Sequence, residues 1–326
     1  MDVRKLKRSA GRSLQMANAP RGLAALHCLA VVIFELILVV ISYALDRGIA
    51  GTGGLSGMGT RSVLTTAQMF LQVLLIVLLP FWQMGITRMY LQWNRREEAN
   101  GGTLLSGFRR FGPILGLKLL QFFLLLAVFV LCSQFATTLY TVTPQGAEFM
   151  KKVEPYLMES EGYLDMLERF PVEEFMGDMK PILLVFTLTA VPISFFVFFM
   201  IRLASFVLMD DEPSRPFRAA LRSVKMLRKN MGAFLRLDLS FWWYYLLQVF
   251  MMALGYADIV LLKIGLNMNA DLLFYAAFGA QVVAKLLVAG TVQAKVGTTY
   301  AAAYDELKER LALREAEKAK KKEEID

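Results

Sequence analysis

The chain of 326 residues is poor in the residue types from which most catalytic and metal sites are built. It has one histidine and two cysteines, too few for a histidine-rich metal or acid–base site or for a disulfide framework. It contains no nucleophile elbow, no paired metal-ligand motif and no nucleotide-binding loop followed by its lysine. We therefore expect a protein that is not an enzyme and needs no cofactor.

Charge is also scarce. Only 20% of the residues are charged, and a mean hydropathy of +0.47 is too high for a water-soluble globule. The apolar residues, 56% of the chain, gather into six blocks that each reach the length of about 20 residues that a helix needs to cross a bilayer. The sequence predicts an all-α, polytopic transmembrane bundle with six spans, at about 22–45, 63–91, 113–140, 181–209, 234–256 and 272–300.

The basic residues predict the orientation of these spans. Most of the 36 lysines and arginines precede the first span, follow the last, or lie in the connections after the second and fourth spans. The other connections hold only Arg47, Arg61, Lys151, Lys152, Arg169, Lys180 and Lys263. Positive connections stay in the cytoplasm, so we expect both termini inside, as an even number of spans requires. The location that we expect is the bacterial cytoplasmic membrane.

A short basic segment with helical apolar spacing precedes the first, third and fifth spans. In the clearest one, Phe217, Leu221, Val224 and Leu227 recur at steps of three and four residues. Each segment predicts an amphipathic helix at the inner interface, with basic side chains on anionic headgroups. The candidate headgroup contacts are Arg4, Lys5, Lys7, Arg8, Arg109, Arg110, Arg218, Arg222, Lys225, Arg228 and Lys229. The repeated order of basic helix, span, connection and span predicts three related helical hairpins.

Two regions outside the spans have their own character. We expect residues 1–304 to form the membrane domain, including a long acidic outer loop at 143–180, and residues 305–326 to form a charged cytoplasmic helical tail. The acidic loop fits either a cation-attracting vestibule or a solvated cap. The tail has no resemblance to a nucleic-acid-binding module, so the expected partners are the lipid bilayer and its anionic headgroups.

Two opposite charges lie in the middle of apolar blocks. Glu35 is at the centre of the first span and Lys285 at the centre of the last, where an ionised group costs several kcal/mol unless it is paired or hydrated. We therefore predict that the two side chains approach each other in the interior of the bundle. Such a pair either fixes helix register or takes part in coupling protons or a substrate.

The region after the fourth span carries a family resemblance. Asp211-Glu212-Pro213, Ala220-Leu221, Ser223, Met226-Leu227, Asn230 and the run from Phe234 to Trp242 resemble a family of bacterial multi-pass membrane proteins, the domain of unknown function 975 family. The basic segment from Leu6 to Leu14 and the end at Tyr300, Tyr304 and Leu307 are similar to that family as well. The resemblance implies a multi-pass topology and no particular activity.

Two hypotheses for function follow. The first is a non-enzymatic integral membrane protein that acts as a binding or scaffold component and interacts with anionic lipid. The alternative is a transporter or channel for a small molecule or ion, with a polar midplane site around Glu35 and Lys285.

The topology predicts where single cysteines react. After Cys28 and Cys132 are replaced, Glu161→Cys in intact cells should react with a membrane-impermeant maleimide, whereas Lys318→Cys should react only after the membrane is permeabilised. Labelling of residue 318 from outside, or protection of residue 161, would contradict the topology.

Overall fold

The computed structural model describes residues 1–17, 19–51, 55–159, 172–210, 215–257, 260–261, 264 and 270–324. Over these residues the chain is helical and contains no strand. The Asp211-Glu212-Pro213 tract of the family resemblance and residues 160–171 of the expected acidic loop lie outside the described residues. The helices are α1 (Val3–Met16), α2 (Pro20–Gly51), α3 (Leu55–Arg95), α4 (Gly101–Leu104), α5 (Phe111–Thr141), α6 (Pro144–Glu159), α7 (Val172–Ile201), α8 (Ala204–Asp210), α9 (Pro216–Arg228), α10 (Met231–Leu239), α11 (Trp242–Leu254), α12 (Ala270–Val288) and α13 (Ala294–Glu323).

Apolar helices of membrane length dominate the described chain, which confirms the helical class predicted from the sequence. Five stretches are long and apolar enough to cross a membrane, and a sixth is added if α10 and α11 cross as one bent span. The five are Pro20–Ile37, Gln68–Arg95, Gly101–Thr141, Met179–Asp210 and Leu272–Lys321. Their sides expose large apolar residues such as Phe122, Leu131 and Leu188, at 57%, 69% and 66%. Such surfaces need lipid around them.

The expected fifth span, 234–256, is bent where the sequence predicts a single helix. The axes of α10 and α11 meet at 56°. At the break, the Ser240 hydroxyl donates to the Leu237 carbonyl (2.6 Å), and the Ser240 carbonyl accepts a hydrogen bond from Lys7 Nζ (2.9 Å). A break frees backbone groups that need other partners in an apolar region, and these two side chains supply them.

The described residues divide into two compact units, Met1–Gly116 with Leu203–Asp326, and Leu117–Arg202. In the first unit α2 packs on α3, α11 packs on α12, and α13 contacts both α1 and α3. Its largest fully buried side chains include Trp93, Tyr304, Phe234 and Phe241. All four lie close to basic connections, so the core of this unit sits at the ends of the helices that the sequence predicts to be cytoplasmic.

The second unit is built from α6, α7 and most of α5. Val128 and Cys132 of α5 are buried with Ala190 of α7, and Phe129 meets Phe186 edge to face at 5.1 Å between ring centroids. The described parts of the expected outer loop are helical: α6 covers its first half, and α7 begins at Val172, before the predicted start of the span.

The last span contains an irregular turn and then runs into the tail. Between α12 and α13 lies one π-helical stretch, Ala289–Gln293, and this stretch packs against α2. From Ala294 the helix α13 continues to Glu323 with no break at the expected boundary of 304 and 305. Leu307, beyond that boundary, is fully buried. The first turns of the tail therefore belong to the packed core of the first unit.

Two glycines allow the segment before α5 to lie directly on α3. A Cβ on Gly85 of α3 would overlap the Leu104 carbonyl, and a Cβ on Gly107 would overlap the Phe81 carbonyl. Gly107 belongs to the 3₁₀ helix Leu105–Arg110. Backbone contacts this close leave no room for any side chain, so the packing depends on glycine at both positions.

Alanine at either position should destabilise the fold. We expect Gly85→Ala and Gly107→Ala each to lower the free energy of unfolding by about 1–3 kcal/mol, because backbone must move to admit the methyl group. The measurement is unfolding in mixed micelles with increasing sodium dodecyl sulfate. The matched control is Gly112→Ala in α5, where the added Cβ has no atom within 4 Å. Equal stability of all three variants would show that the close contacts are absent.

Candidate functional site

The two charges in the apolar blocks meet as the sequence analysis predicts. Lys285 Nζ of α12 lies 2.7 Å from Glu35 Oε2 and 3.0 Å from Oε1 of α2. The side chains are 25% and 31% exposed. They are therefore at the edge of the contact between α2 and α12 and not enclosed in an interior, which corrects that part of the expectation. Each charge satisfies the other, which is what a pair at this depth requires.

A second set of charged groups joins three helices at the ends where the core lies. The Asp210 carboxylate, whose side chain is 8% exposed, pairs with Arg95 of α3 (2.5 Å) and with Lys308 of α13 (2.6 Å). The Tyr304 hydroxyl also donates to it, at 2.9 Å. Arg95 in turn pairs with Asp305 (2.6 Å). The donors leave the Asp210 carboxylate fully satisfied, so this network positions helices.

A smaller polar cluster lies at the bend between α10 and α11. The Tyr300 hydroxyl donates to Asp238 Oδ1 at 2.5 Å, and the Tyr245 hydroxyl lies 2.6 Å from that of Tyr300. Asp238 is 8% exposed. These contacts tie α13 to both halves of the bent pair. Among the described residues, no three histidine, cysteine or acidic side chains are grouped so as to hold a metal ion.

The first basic helix, α1, is docked on protein by its apolar face. Leu6, Ala10 and Ser13 are buried against α13 and α3, and the Ser13 hydroxyl donates to the Asn94 carbonyl at 3.3 Å. The apolar face of α1 is thus covered by protein, and its position at the inner interface stays a prediction. Of the candidate headgroup contacts on α1, Arg4, Lys5 and Arg8 are exposed.

Lys7, the fourth candidate on α1, is half-buried. Its ammonium group donates to the Ser240 carbonyl and lies 4.1 Å from the centroid of the Phe241 ring. Burial lowers the pKa of Lys7, and the positive charge of Lys295 lowers it further. Lys7 therefore has a structural contact, and it also contributes positive charge beside a second lysine.

The two candidate arginines of the second basic segment have different surroundings. Arg110 donates to the Leu208 carbonyl in the last turn of α8 at 2.5 Å. Arg109 is exposed. The structure therefore assigns a helix-capping contact to Arg110, where the sequence predicts a headgroup contact, and leaves Arg109 available to a headgroup.

The third basic helix, α9, has three distinct faces. Its buried face consists of Ala219, Ala220, Ser223, Met226 and Leu227. The predicted apolar face is packed only in part, because Leu227 is fully buried whereas Phe217 is 63% exposed and Leu221 is 47% exposed. Small residues pack instead because they let the backbone of α9 approach α8, where Leu203 N donates to Ser223 Oγ at 3.1 Å.

The remaining face of α9 is basic. Arg218, Lys225, Arg228 and Lys229 are exposed, and Arg222 is half-buried. The helix therefore presents an apolar strip and a basic strip side by side, both uncovered by the described protein. A surface of this kind matches the boundary between acyl chains and headgroups.

A groove runs between α1 and the start of α13. It has two adjoining parts of ≈ 490 Å³ and ≈ 340 Å³ that share Gly11, Gln15 and Lys295. We call it the basic groove, and its described lining is Lys7, Arg8, Gly11, Arg12, Leu14, Gln15, Ala17, Ala19, Pro20, Arg21, Thr291, Ala294 and Lys295. Sequence reasoning missed it, since Arg12, Arg21 and Lys295 belong to different segments and only the docking of α1 on α13 brings them together.

Comparison with known proteins gives no family model that matches the chain, no similar curated protein and no similar solved structure. The resemblance to the domain of unknown function 975 family therefore stays a prediction from the sequence.

The pair of Glu35 and Lys285 should behave as one unit in a double-mutant cycle. We expect Glu35→Gln and Lys285→Met each to lower the free energy of unfolding by about 1–3 kcal/mol, because each strands the other charge at the edge of the bundle. The double variant should lose clearly less than the sum. Strictly additive losses, measured by unfolding in mixed micelles, would show that the two groups do not interact. Lys318→Met in the exposed tail is the control and should change stability by less than about 0.5 kcal/mol.

Proposed function

We propose that this chain is a non-enzymatic component of the bacterial cytoplasmic membrane that gathers anionic phospholipid at its inner face and serves there as a binding or scaffold component. It crosses the membrane six times, with α10 and α11 forming the fifth span, and both termini lie in the cytoplasm. The distribution of basic connections supports this orientation, and the bent pair at 56° supports the count of six.

The observation that carries the proposal is the three-faced surface of α9. A helix that only linked two spans would need one packed face and one polar face. In α9 the packed face includes the small residues Ala219, Ala220 and Ser223. The exposed Phe217 and Leu221 lie beside exposed Arg218 and Lys225. The apolar strip can enter the acyl region while the basic strip reaches the phosphates of the same leaflet.

The exposed basic residues can attract anionic lipid strongly enough to gather it around the protein. A lysine or arginine close to an anionic surface contributes about 1 kcal/mol, and salt screens the attraction. The three exposed basic residues of α9 and Lys229 directly after it, together with Arg4, Lys5 and Arg8 of α1 and Arg109, would enrich anionic lipid around the inner side of the protein. None of these residues needs to recognise one lipid species.

Transport through the midplane is the second candidate, and the ion pair of Glu35 and Lys285 is the observation that favours it. The two groups already neutralise each other, and both are partly exposed at the edge of one helix contact. This arrangement fits the fixing of helix register better than it fits a substrate site, so we place lipid binding first.

The test is the composition of lipid that stays with the protein. From bilayers of equal phosphatidylglycerol and phosphatidylcholine, the purified wild type should retain the anionic lipid in clear excess, as measured by mass spectrometry. Removal of two charges by Arg218→Ala/Lys225→Ala should lower this enrichment, and 0.5 M salt should lower it in the wild type.

The matched control removes two cations from the opposite side of the membrane. Lys151→Ala/Lys180→Ala changes the net charge by the same amount, and both residues are exposed, so its retained lipid should equal that of the wild type. Retention of the two lipids in equal amounts by the wild type would refute the proposed function.

A further inference from the structure

We propose that the basic groove between α1 and α13 is a specific site for one anionic glycerophospholipid, with its phosphate held by Arg12, Arg21 and Lys295. The inference rests on the proposed function but goes further, because it concerns a single lipid in a defined site and not the general enrichment around α9. It also assigns a role to three residues that the sequence analysis leaves without one.

The groove concentrates positive charge without opposing charge. Lys7, Arg8 and Arg12 reach it from α1, Arg21 from the start of α2, and Lys295 from α13. Of the described residues that line it, none is acidic. Positive side chains brought this close repel each other unless an anion lies between them, and the lowered pKa of Lys7 has the charge of Lys295 as one of its causes.

Three basic side chains of the groove have no carboxylate partner among the described residues and can bind an anion. Arg12, Arg21 and Lys295 are exposed, and within the described chain no carboxylate pairs with any of them. Two arginines supply planar, forked donors that match the oxygens of a phosphate, and Lys295 adds a third direction of approach. Lys295 lines both parts of the groove, with Arg21 in the larger part and Arg12 in the smaller one, so a phosphate at their junction has cationic donors on both sides.

The other half of the lining identifies the phosphate as that of a lipid. The larger part of the groove is lined by Leu14, Ala17, Pro20 and Ala294 as well as by Arg21 and Lys295. A free phosphate or a soluble sugar phosphate would gain nothing from this apolar side. A glycerophospholipid places its phosphate on the basic side and its glycerol and first acyl carbons on the apolar side.

The depth of the groove agrees with a lipid. Arg21 directly follows Pro20, the residue at which the membrane-length apolar stretch of α2 begins. The groove therefore opens at the end of the hydrocarbon region, where the phosphates of a leaflet lie. The π turn Ala289–Gln293 comes immediately before Ala294 and Lys295, and π turns within helices are frequent at functional sites.

The experiment is native mass spectrometry of the full-length protein in detergent, titrated with dioleoylphosphatidylglycerol and, in parallel, with dioleoylphosphatidylcholine. The first phosphatidylglycerol should bind at least tenfold more tightly than phosphatidylcholine. Lys295→Ala should weaken this first binding about fivefold, and Arg12→Ala/Lys295→Ala about thirtyfold, because each charge contributes a factor of about five near an anionic lipid. Lys295→Arg should retain it.

Control variants separate this proposal from the broader function. Arg218→Ala/Lys225→Ala on α9 should leave the first binding constant unchanged while it lowers the later, weaker ones. Thermal unfolding followed by circular dichroism checks that each variant is folded, which is expected since the substituted side chains are exposed. Failure of α9 to enrich anionic lipid, with the first binding intact, would remove the proposed function and leave the groove.

Three results would overturn the groove site. In the first, the variant Arg12→Ala/Lys295→Ala binds the first phosphatidylglycerol with an affinity within twofold of that of the wild type. In the second, phosphatidylcholine binds as tightly as phosphatidylglycerol in the first binding step. In the third, inorganic phosphate at the same concentration as the lipid displaces the lipid. The last result would indicate a site for a free anion.

Discussion

One carboxylate, Asp210, holds three helices together at the ends that carry the basic connections. Arg95 brings the end of α3 to it, and Tyr304 and Lys308 bring α13. A buried carboxylate that loses its partners costs several kcal/mol, so neither helix can move away from α8 cheaply. Trp93, Phe206 and Tyr304 are buried around the same place. The ion pairs and the buried apolar residues therefore lie at the same ends of these helices, and α1 and α9 pack on the helices there.

The location of this core follows from the solvent that each part of the chain meets. Within hydrocarbon an apolar side chain gains little by exchanging lipid for protein, so the middle of a span has no hydrophobic reason to pack tightly. Near the interface water is present and burial is favourable again. The described spans show both kinds of surface: Phe122 and Leu188 are largely exposed in the middle of their helices, whereas Leu203, Phe234 and Phe241 are buried near the basic connections. In the first unit, surfaces for lipid and surfaces for protein therefore tend to lie at different levels of the helices, whereas the second unit also packs Val128 and Cys132 against Ala190 in mid-helix.

Some of this could be predicted from the sequence and some could not. The helices follow from block length alone, and Glu35 meets Lys285 because two opposite charges at equal depth have few other partners. In α9 the spacing of Phe217 and Leu221 predicts a packed apolar face, but these two are exposed and Ala219, Ala220 and Ser223 are buried, because close backbone approach favours small residues. Asp210, Arg95 and Asp305 lie far apart in the chain, and the basic groove likewise joins distant segments, so no local spacing indicates either of them.

The π turn at Ala289–Gln293 sets the rotational phase between the two halves of the last helix. On its near side Lys285 points at α2, and on its far side Lys308 points at α8. A π turn holds one more residue than a regular α-helix needs between the same two points, so positions after it are shifted by one residue, about 100° of helical phase, relative to a regular repeat counted from before it. Helical faces on this span must therefore be assigned separately before and after the turn.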